Sequence, residues 1–374
     1  MSVQTKEKSP QMLAHLTASP AVLFCSSDTE HYNTENANCQ DSVRELCSEC
    51  IELDTKFAPK RLSALLLSAS YGRLGESTKA QRVADCGTFL EFAHAIDADG
   101  VMSDKGKLHN ANFCRDRLCP MCSWRRSYKI FAQVSQIMSR IGSKYKFIML
   151  TLTVPNCAPD ELTETVQRLF DAWGKLIRRK AFKMAVKGYF RALEVTRNKK
   201  NGTYHPHFHC ILAVPLDYAE SDLYIPRDEW LKMWRKCYQD ESIVSLDVRM
   251  AKGKNAETES CVEALSSAVA EIAKYAVKSS DYLIKDDEAL TDDIVSRLGS
   301  ALYRKRLADF DHNGAFHKAR EELQLDDAED GDLVHLTDKI DPSLAYMIVR
   351  YGWSAGAYKM LDTYIKQPES GVNE

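Results

Sequence analysis

The chain has no apolar run approaching the ~20 residues that a membrane-spanning helix needs. Its N-terminus lacks a cationic segment followed by an apolar stretch, the mark of an export signal. A cytoplasmic protein without a membrane partner is the expectation. No internal repeat or low-complexity segment occurs, which argues against solenoids and propellers. An excess of positive charge is also missing. Fifty Lys and Arg face 53 Asp and Glu, for a net charge of −3. A general nucleic-acid coat protein would be far more basic.

What is present is unevenly spread. Between Lys175 and Lys200 there are ten Lys or Arg and one acid, Glu194. Acids recur at Asp286, Asp287 and Glu288, at Asp292 and Asp293, and from Asp326 to Asp332. A basic face beside an acidic region fits a protein that holds a phosphate backbone on one side. Solvated helix faces are the plain alternative for the acids. Twelve cysteines in a reducing compartment point to metal binding before disulfides.

The pattern divides the chain into a polar, loosely ordered leader (1–55), a helical and Cys-rich region (56–138), a strand-and-hairpin region (139–290) and a mixed helical end (291–374). Residues 56–85 look helical, with Leu62, Leu65, Leu66 and Leu67 as the apolar signal. Phe147 to Val154 reads as a buried strand, and Asp160 to Met184 as a helix. Tyr189–Thr196 and Thr203–Val214 read as a hairpin around Asn201-Gly202, since Asn-Gly supplies positive φ. Val244–Met250 reads as a strand and Cys261–Leu283 as a helix without Gly or Pro.

His205, His207 and His209 alternate along the second hairpin strand, so they share a face about 7 Å apart. If Glu194 shares that face, two or three imidazoles and one carboxylate form a metal site with open positions. Such a set suits Mg²⁺ or Mn²⁺ for work on phosphates, though imidazoles also accept zinc. Buried, hydrogen-bonded histidines are the bland alternative. Cys114, Cys119 and Cys122 offer three thiols, with the two-residue gap of a zinc knuckle between the last two. Cys86, followed by the small Gly87, is the preferred fourth ligand for structural Zn²⁺. His109 is its rival. The neighbouring Arg115, Arg117, Arg125 and Arg126 could contact phosphates. Cys47 and Cys50, even with Cys39, make no clear site. Glu271 and Tyr275 are an i, i+4 pair on the helix, and Lys278 follows three residues on. An ammonium near a tyrosine favours the phenolate, and a carboxylate can take a proton from tyrosine or water. Alone, such a trio is an ordinary polar helix face.

Together these motifs resemble the HUH endonucleases, specifically the rolling-circle replication initiators of small bacterial plasmids. The Phe147–Thr153 strand looks like the first family motif. Gly188–Thr196 with His205-Pro-His207-Phe208-His209 looks like the metal motif, whose ligands fall on His207, His209 and Glu194. Glu271–Tyr282 looks like the catalytic motif, with Tyr275 as nucleophile. The Cys114–Arg126 segment and the acidic Leu325–Asp332 stretch also match. The resemblance implies an α+β fold, with a central antiparallel sheet and flanking helices in a nicking domain spanning 139–290. It implies metal-dependent nicking of plasmid origin DNA, single-stranded at the nick, through a 5′-phosphotyrosine and a free 3′-hydroxyl. A host polymerase and helicase are the implied partners, in a bacterial cytoplasm. Two-tyrosine relatives carry a tyrosine where this chain has Glu271. The single-tyrosine type implies that Glu271 activates water to end a round. His205 is not required by the family motif. A transposase or mobilisation relaxase, a non-catalytic zinc-containing DNA-binding protein and a small-molecule zinc hydrolase are the competing readings.

Overall fold

The computed structural model describes Leu53 and residues 55–251, Val269, residues 276–336 and residues 340–368. The leader expected over 1–55, apart from Leu53 and Thr55, lies outside the described residues, as do Cys39, Cys47 and Cys50. So do Glu271 and Tyr275.

The N-terminal described region opens with α1 (Ala58–Arg73) and α2 (Ser77–Ala84). The helix expected over 56–85 is thus present, broken at Gly75, where φ is +79°. Its buried face is not the leucine cluster. Ala58, Arg61, Ala64, Leu67 and Tyr71 recur at helical spacing and point inward. Leu62, Leu65 and Leu66 are 37 %, 37 % and 52 % exposed, so only Leu67 of the four is core. Strands β1 (Phe89–Ile96) and β2 (Lys107–Ala111) follow, then the long helix α3 (Pro120–Ile141). Pro120 suits the first turn, where its missing N–H would have had no intrahelical acceptor.

The central sheet is wholly antiparallel. Its strands are β3 (Lys146–Thr153), β4 (Gly188–Arg197), β5 (Tyr204–Val214), β6 (Asp247–Met250) and β7 (Ala308–Phe310), in the order β6-β3-β5-β4-β7. The hairpin expected from the sequence is thus present, and β4 and β5 lie inside the sheet. Asn198 N–H donates to the Thr203 carbonyl and Gly202 adopts φ +74° in the turn. A β-carbon is disfavoured in that backbone region.

Alternation assigns the faces. Phe208, Cys210, Leu212 and Val214 join a core with α4 (Leu162–Leu176), α5 (Lys180–Ala185) and α6 (Arg227–Tyr238). Phe208 packs edge-on against Phe170 and Trp173, and Trp230 and Trp234 are fully buried. Ile211, Ala213, Phe147, Met149, Phe190 and Ala192 face the other way, onto α3 and α9 (Ala315–Glu322). Along that second face the side chains change character. Past Ala192 and Ile211 come Glu194, His209 and His207. An apolar sheet face thus turns polar at one end, and that end is the candidate site.

The helix expected over Cys261–Leu283 does not run through its described end. Ala276 and Val277 form a bend and Lys278 is extended, at φ −71° and ψ 135°, before the single turn α7 (Ser279–Tyr282). The i, i+3 placement of Lys278 relative to Tyr275 therefore fails as a helix-face argument. Helix α8 (Glu288–Leu302) is capped by Asp287, whose side chain accepts from Leu290 N–H.

No strand was expected after residue 290, only mixed helix and loop. Besides β7, Ala345–Ser354 (β8) and Ala357–Lys366 (β9) form a hairpin. It pairs with β1 to make a second antiparallel sheet, β2-β1-β8-β9. An ion pair across the sheet, Arg350 to Glu91 at 2.7 Å, joins β8 to β1. Among the described residues no helix is long and apolar enough to cross a membrane.

Candidate metal centres and nicking site

The first centre stands on the β4–β5 register. Glu194 is paired opposite His207, and Thr151 and Ala192 flank His209 from both neighbouring strands. These pairings put Glu194 Oε2 3.0 Å from His209 Nε2 and 3.5 Å from His207 Nε2. The two Nε2 atoms are 3.2 Å apart. Glu194 and His207 are 8 % and 7 % exposed, while His209 is half-buried, so the group is reached from one side.

The tautomer of His207 follows from its partner. Nδ1 lies 3.0 Å from the His205 carbonyl, which can only accept, so Nδ1 carries a proton. In the neutral ring Nε2 then presents a lone pair. Burial pushes the Glu194 carboxyl up, but the facing His207 and His209 rings outweigh it and hold the group well below its usual range. A carboxylate and imidazole lone pairs converging on one point match a divalent cation. Ligands at about 2.0–2.1 Å are about 2.9 Å apart in an octahedron and about 3.3 Å apart in a tetrahedron. The donor separations here, 3.0 to 3.5 Å, fit that spacing.

His205 is not part of this group. Its ring stacks on His207 at 5.0 Å, and burial lowers its basicity. Its contribution is the backbone carbonyl that orients His207, a role the alternation argument missed. Thr151 was missed as well. Its Oγ1 lies 3.3 Å from His209 Nδ1. The Thr-rich strand was visible in the sequence, but its register opposite His209 was not. Ions are commonly held by imidazoles whose far nitrogen is oriented in this way.

Ala276, where the described chain resumes, is anchored close by. The carbonyl of Ala276, the residue bonded to Tyr275, accepts the N–H of Val195, next to Glu194. Lys278 follows two residues on.

The second centre gathers Cys86, Cys114, Cys119 and Cys122, whose sulfurs all lie within 4.8 Å of one another. Cys86–Cys122, Cys114–Cys122 and Cys86–Cys119 are 3.5, 3.6 and 3.6 Å apart. A disulfide would be about 2.05 Å, whereas tetrahedral thiolates at about 2.3 Å from zinc are about 3.8 Å apart. All four are free cysteines, and only Cys114 is not fully buried. Cys86 is thus the fourth member. His109 instead packs against the His335 ring. The reason for Cys86 differs from the one expected. Gly87 N–H goes to the Asn112 carbonyl, and the amides that reach sulfur come from Cys114, Arg115 and Asp116. Arg115 takes φ +61° to turn them inward.

The arginines around this cluster are engaged within the chain. Arg125 donates to the carbonyls of Leu333 and Val334, Arg126 to that of Glu329, and Arg115 to that of Asp330. Arg117 donates to the Leu302 carbonyl. Lys129, fully buried, meets Asp326 at 2.5 Å and the Asp332 carbonyl at 2.7 Å. The acidic stretch is therefore clamped onto the cysteine region, and the expected phosphate contacts of these arginines are replaced by internal ones. In the basic run, Arg191 is buried between Phe170 and Phe208, at 4.8 and 4.6 Å. Lys175, Arg178, Lys180, Lys183, Lys187, Lys199 and Lys200 stay exposed.

The replication protein family model matches residues 105–359. A Protein rep of Streptococcus pneumoniae is 34 % identical over 296 residues, covering 77 % of this chain and 86 % of that protein. One from Bacillus amyloliquefaciens is 36 % identical over 291 residues, covering 74 % and 83 %. One from Staphylococcus aureus is 39 % identical over 211 residues, covering 56 % and 86 %. No solved structure matches. The chain belongs to the replication protein family, as a Rep initiator of rolling-circle plasmid replication.

Proposed function

We propose that this initiator is an HUH-type endonuclease that nicks one strand of its plasmid origin, with Tyr275 as nucleophile. The observation that carries the reading is the convergence of Glu194, His207 and His209 at the sheet's open end, with Ala276 hydrogen-bonded to the residue after Glu194. Mg²⁺ or Mn²⁺ held there would neutralise charge on the scissile phosphate. The His205 carbonyl and Thr151 keep both imidazoles turned toward that point. The Tyr275 oxygen attacks phosphorus in line. A new O–P bond forms, and the bond from phosphorus to the 3′ oxygen breaks. The products are a 5′-phosphotyrosine and a free 3′-hydroxyl, which accepts a proton and primes a host polymerase behind a host helicase. One ester replaces another, so no nucleotide is hydrolysed. Lys278 would stabilise the phenolate or the phosphate. Glu271 would take a proton from water for the terminating cut, which makes a second tyrosine unnecessary. Cys86, Cys114, Cys119 and Cys122 would hold a structural Zn²⁺.

The test is incubation with supercoiled origin plasmid and Mn²⁺, followed by denaturing electrophoresis. The wild type is expected to give a nick and a protein–DNA adduct, and Tyr275→Phe neither. Undiminished nicking by Tyr275→Phe would remove the tyrosine from its assigned role.

A further inference from the structure

A cavity of about 280 Å³ opens between α1, α2, the loop after Cys114 and the end of α8. Leu298 and Leu302 form an apolar wall, and Tyr71 and Lys79 stand opposite. At its mouth the ring of Tyr303 is 65 % exposed, and the Arg304 guanidinium lies over it at 5.1 Å. Arg304 sits at φ +55°, a backbone conformation unfavourable for an L residue. Among the described residues it has no carboxylate partner. Lys79 is bridged to Glu76 and lies over the Tyr71 ring. Asp116, the acid of the lining, already accepts from the Tyr71 hydroxyl and the Leu118 amide.

This cavity is tied to the candidate nicking site by the chain itself. Leu307, three residues past Arg304, accepts the N–H of Leu193, which precedes Glu194. Three extended residues span at most ~11 Å, so the Arg304 backbone lies within that distance of Leu307, the partner of the residue before Glu194.

We propose that the cavity bounded by Tyr71, Lys79, Leu298, Leu302, Tyr303 and Arg304 binds one unstacked nucleotide of the single-stranded origin DNA. The inference rests on the nicking reading above. An exposed aromatic ring beside leucines offers a stacking surface for any base, and the Arg304 guanidinium at the mouth, without a carboxylate partner among the described residues, matches the phosphate. The cavity has room for one base and excludes a duplex. A free nucleotide has the same chemistry, so the test must separate it from a strand.

The test uses the full chain and fluorescence anisotropy with a short fluorescein-labelled oligo(dA) strand, a duplex of the same length, and free dAMP as competitor. Tyr303→Ala is expected to weaken strand binding about tenfold. Tyr303→Phe is expected to restore it. Arg304→Ala is expected to lower the magnitude of the salt slope by about one unit. Duplex binding is expected to be unchanged in each variant. Strand affinity unaltered by Tyr303→Ala, or weakened equally with duplex, overturns the proposal. So does failure of the wild type to bind the strand, or dAMP binding more tightly than the strand. Nicking of origin plasmid by the wild type, run in parallel, reads the nicking assignment separately. Strand binding without nicking would sink that assignment and leave the cavity's role to be decided by the variants.

Discussion

The two candidate metal centres are built on opposite plans. The cysteine centre has four donors of one kind, sealed by Leu118, Met121 and the amides of residues 114–116. Those amides point at sulfur, and an arginine-clamped acidic loop braces the surroundings. The Glu-His-His centre has three donors of two kinds at the rim of a sheet, where an apolar face ends. Four matched ligands leave no place for a reactant, while three at an open edge leave several. On the proposed reading, the first centre would hold the fold and the second would do the chemistry.

The largest effect should come from breaking the closed centre. Cys119→Ser is expected to remove one zinc per chain and lower the melting temperature by more than about 10 °C. Metal analysis and calorimetry read both. An unaltered melting temperature would mean the cluster is packing alone. Breaking the open centre should do the reverse. His209→Ala is expected to cut metal-dependent nicking on the order of 10²–10³-fold with little change in melting. Thr151→Val, which removes the hydroxyl beside His209, should weaken divalent-metal activation by about tenfold. A manganese titration of the nicking rate checks this.

The smallest effect concerns the brace. Burial lowers the pKa of the Lys129 ammonium, against the pull of Asp326. A lysine whose folded pKa lies below its unfolded one adds stability as pH rises from the folded value to about 10.4. Lys129→Met should lack that rise, and should differ from wild type by about 1 kcal/mol at neutral pH. Urea melts at pH 8 and pH 10 would show whether the two curves converge or run parallel.

The local features of both centres were legible in the sequence. The Asn201-Gly202 turn fixed a hairpin, and strand alternation then put His207 and His209 on one face. The four cysteines were readable because so many thiols in one reducing chain need a reason. What stayed hidden was non-local. Strands β1 and β8 pair across more than 250 residues, from Phe89 to Gly352, and no local pattern announces a partner that distant. β9 gave no alternation to read, since Leu361, Tyr364 and Ile365 are all exposed. The arginines of residues 115–126 and the acids of 326–332 were each noticed, yet charge runs carry no address. The bend at Ala276 and Val277 was hidden because the segment has neither Gly nor Pro to announce a break.

The division of labour between the centres is tested most directly by counting metal while measuring nicking. After brief EDTA treatment and desalting, the wild type is expected to retain one zinc per chain and to lose nicking of supercoiled origin plasmid. Added Mg²⁺ or Mn²⁺ should restore activity in wild type but not in the His209→Ala variant. Nicking that persists without added metal, or that returns equally in His209→Ala, would contradict the account.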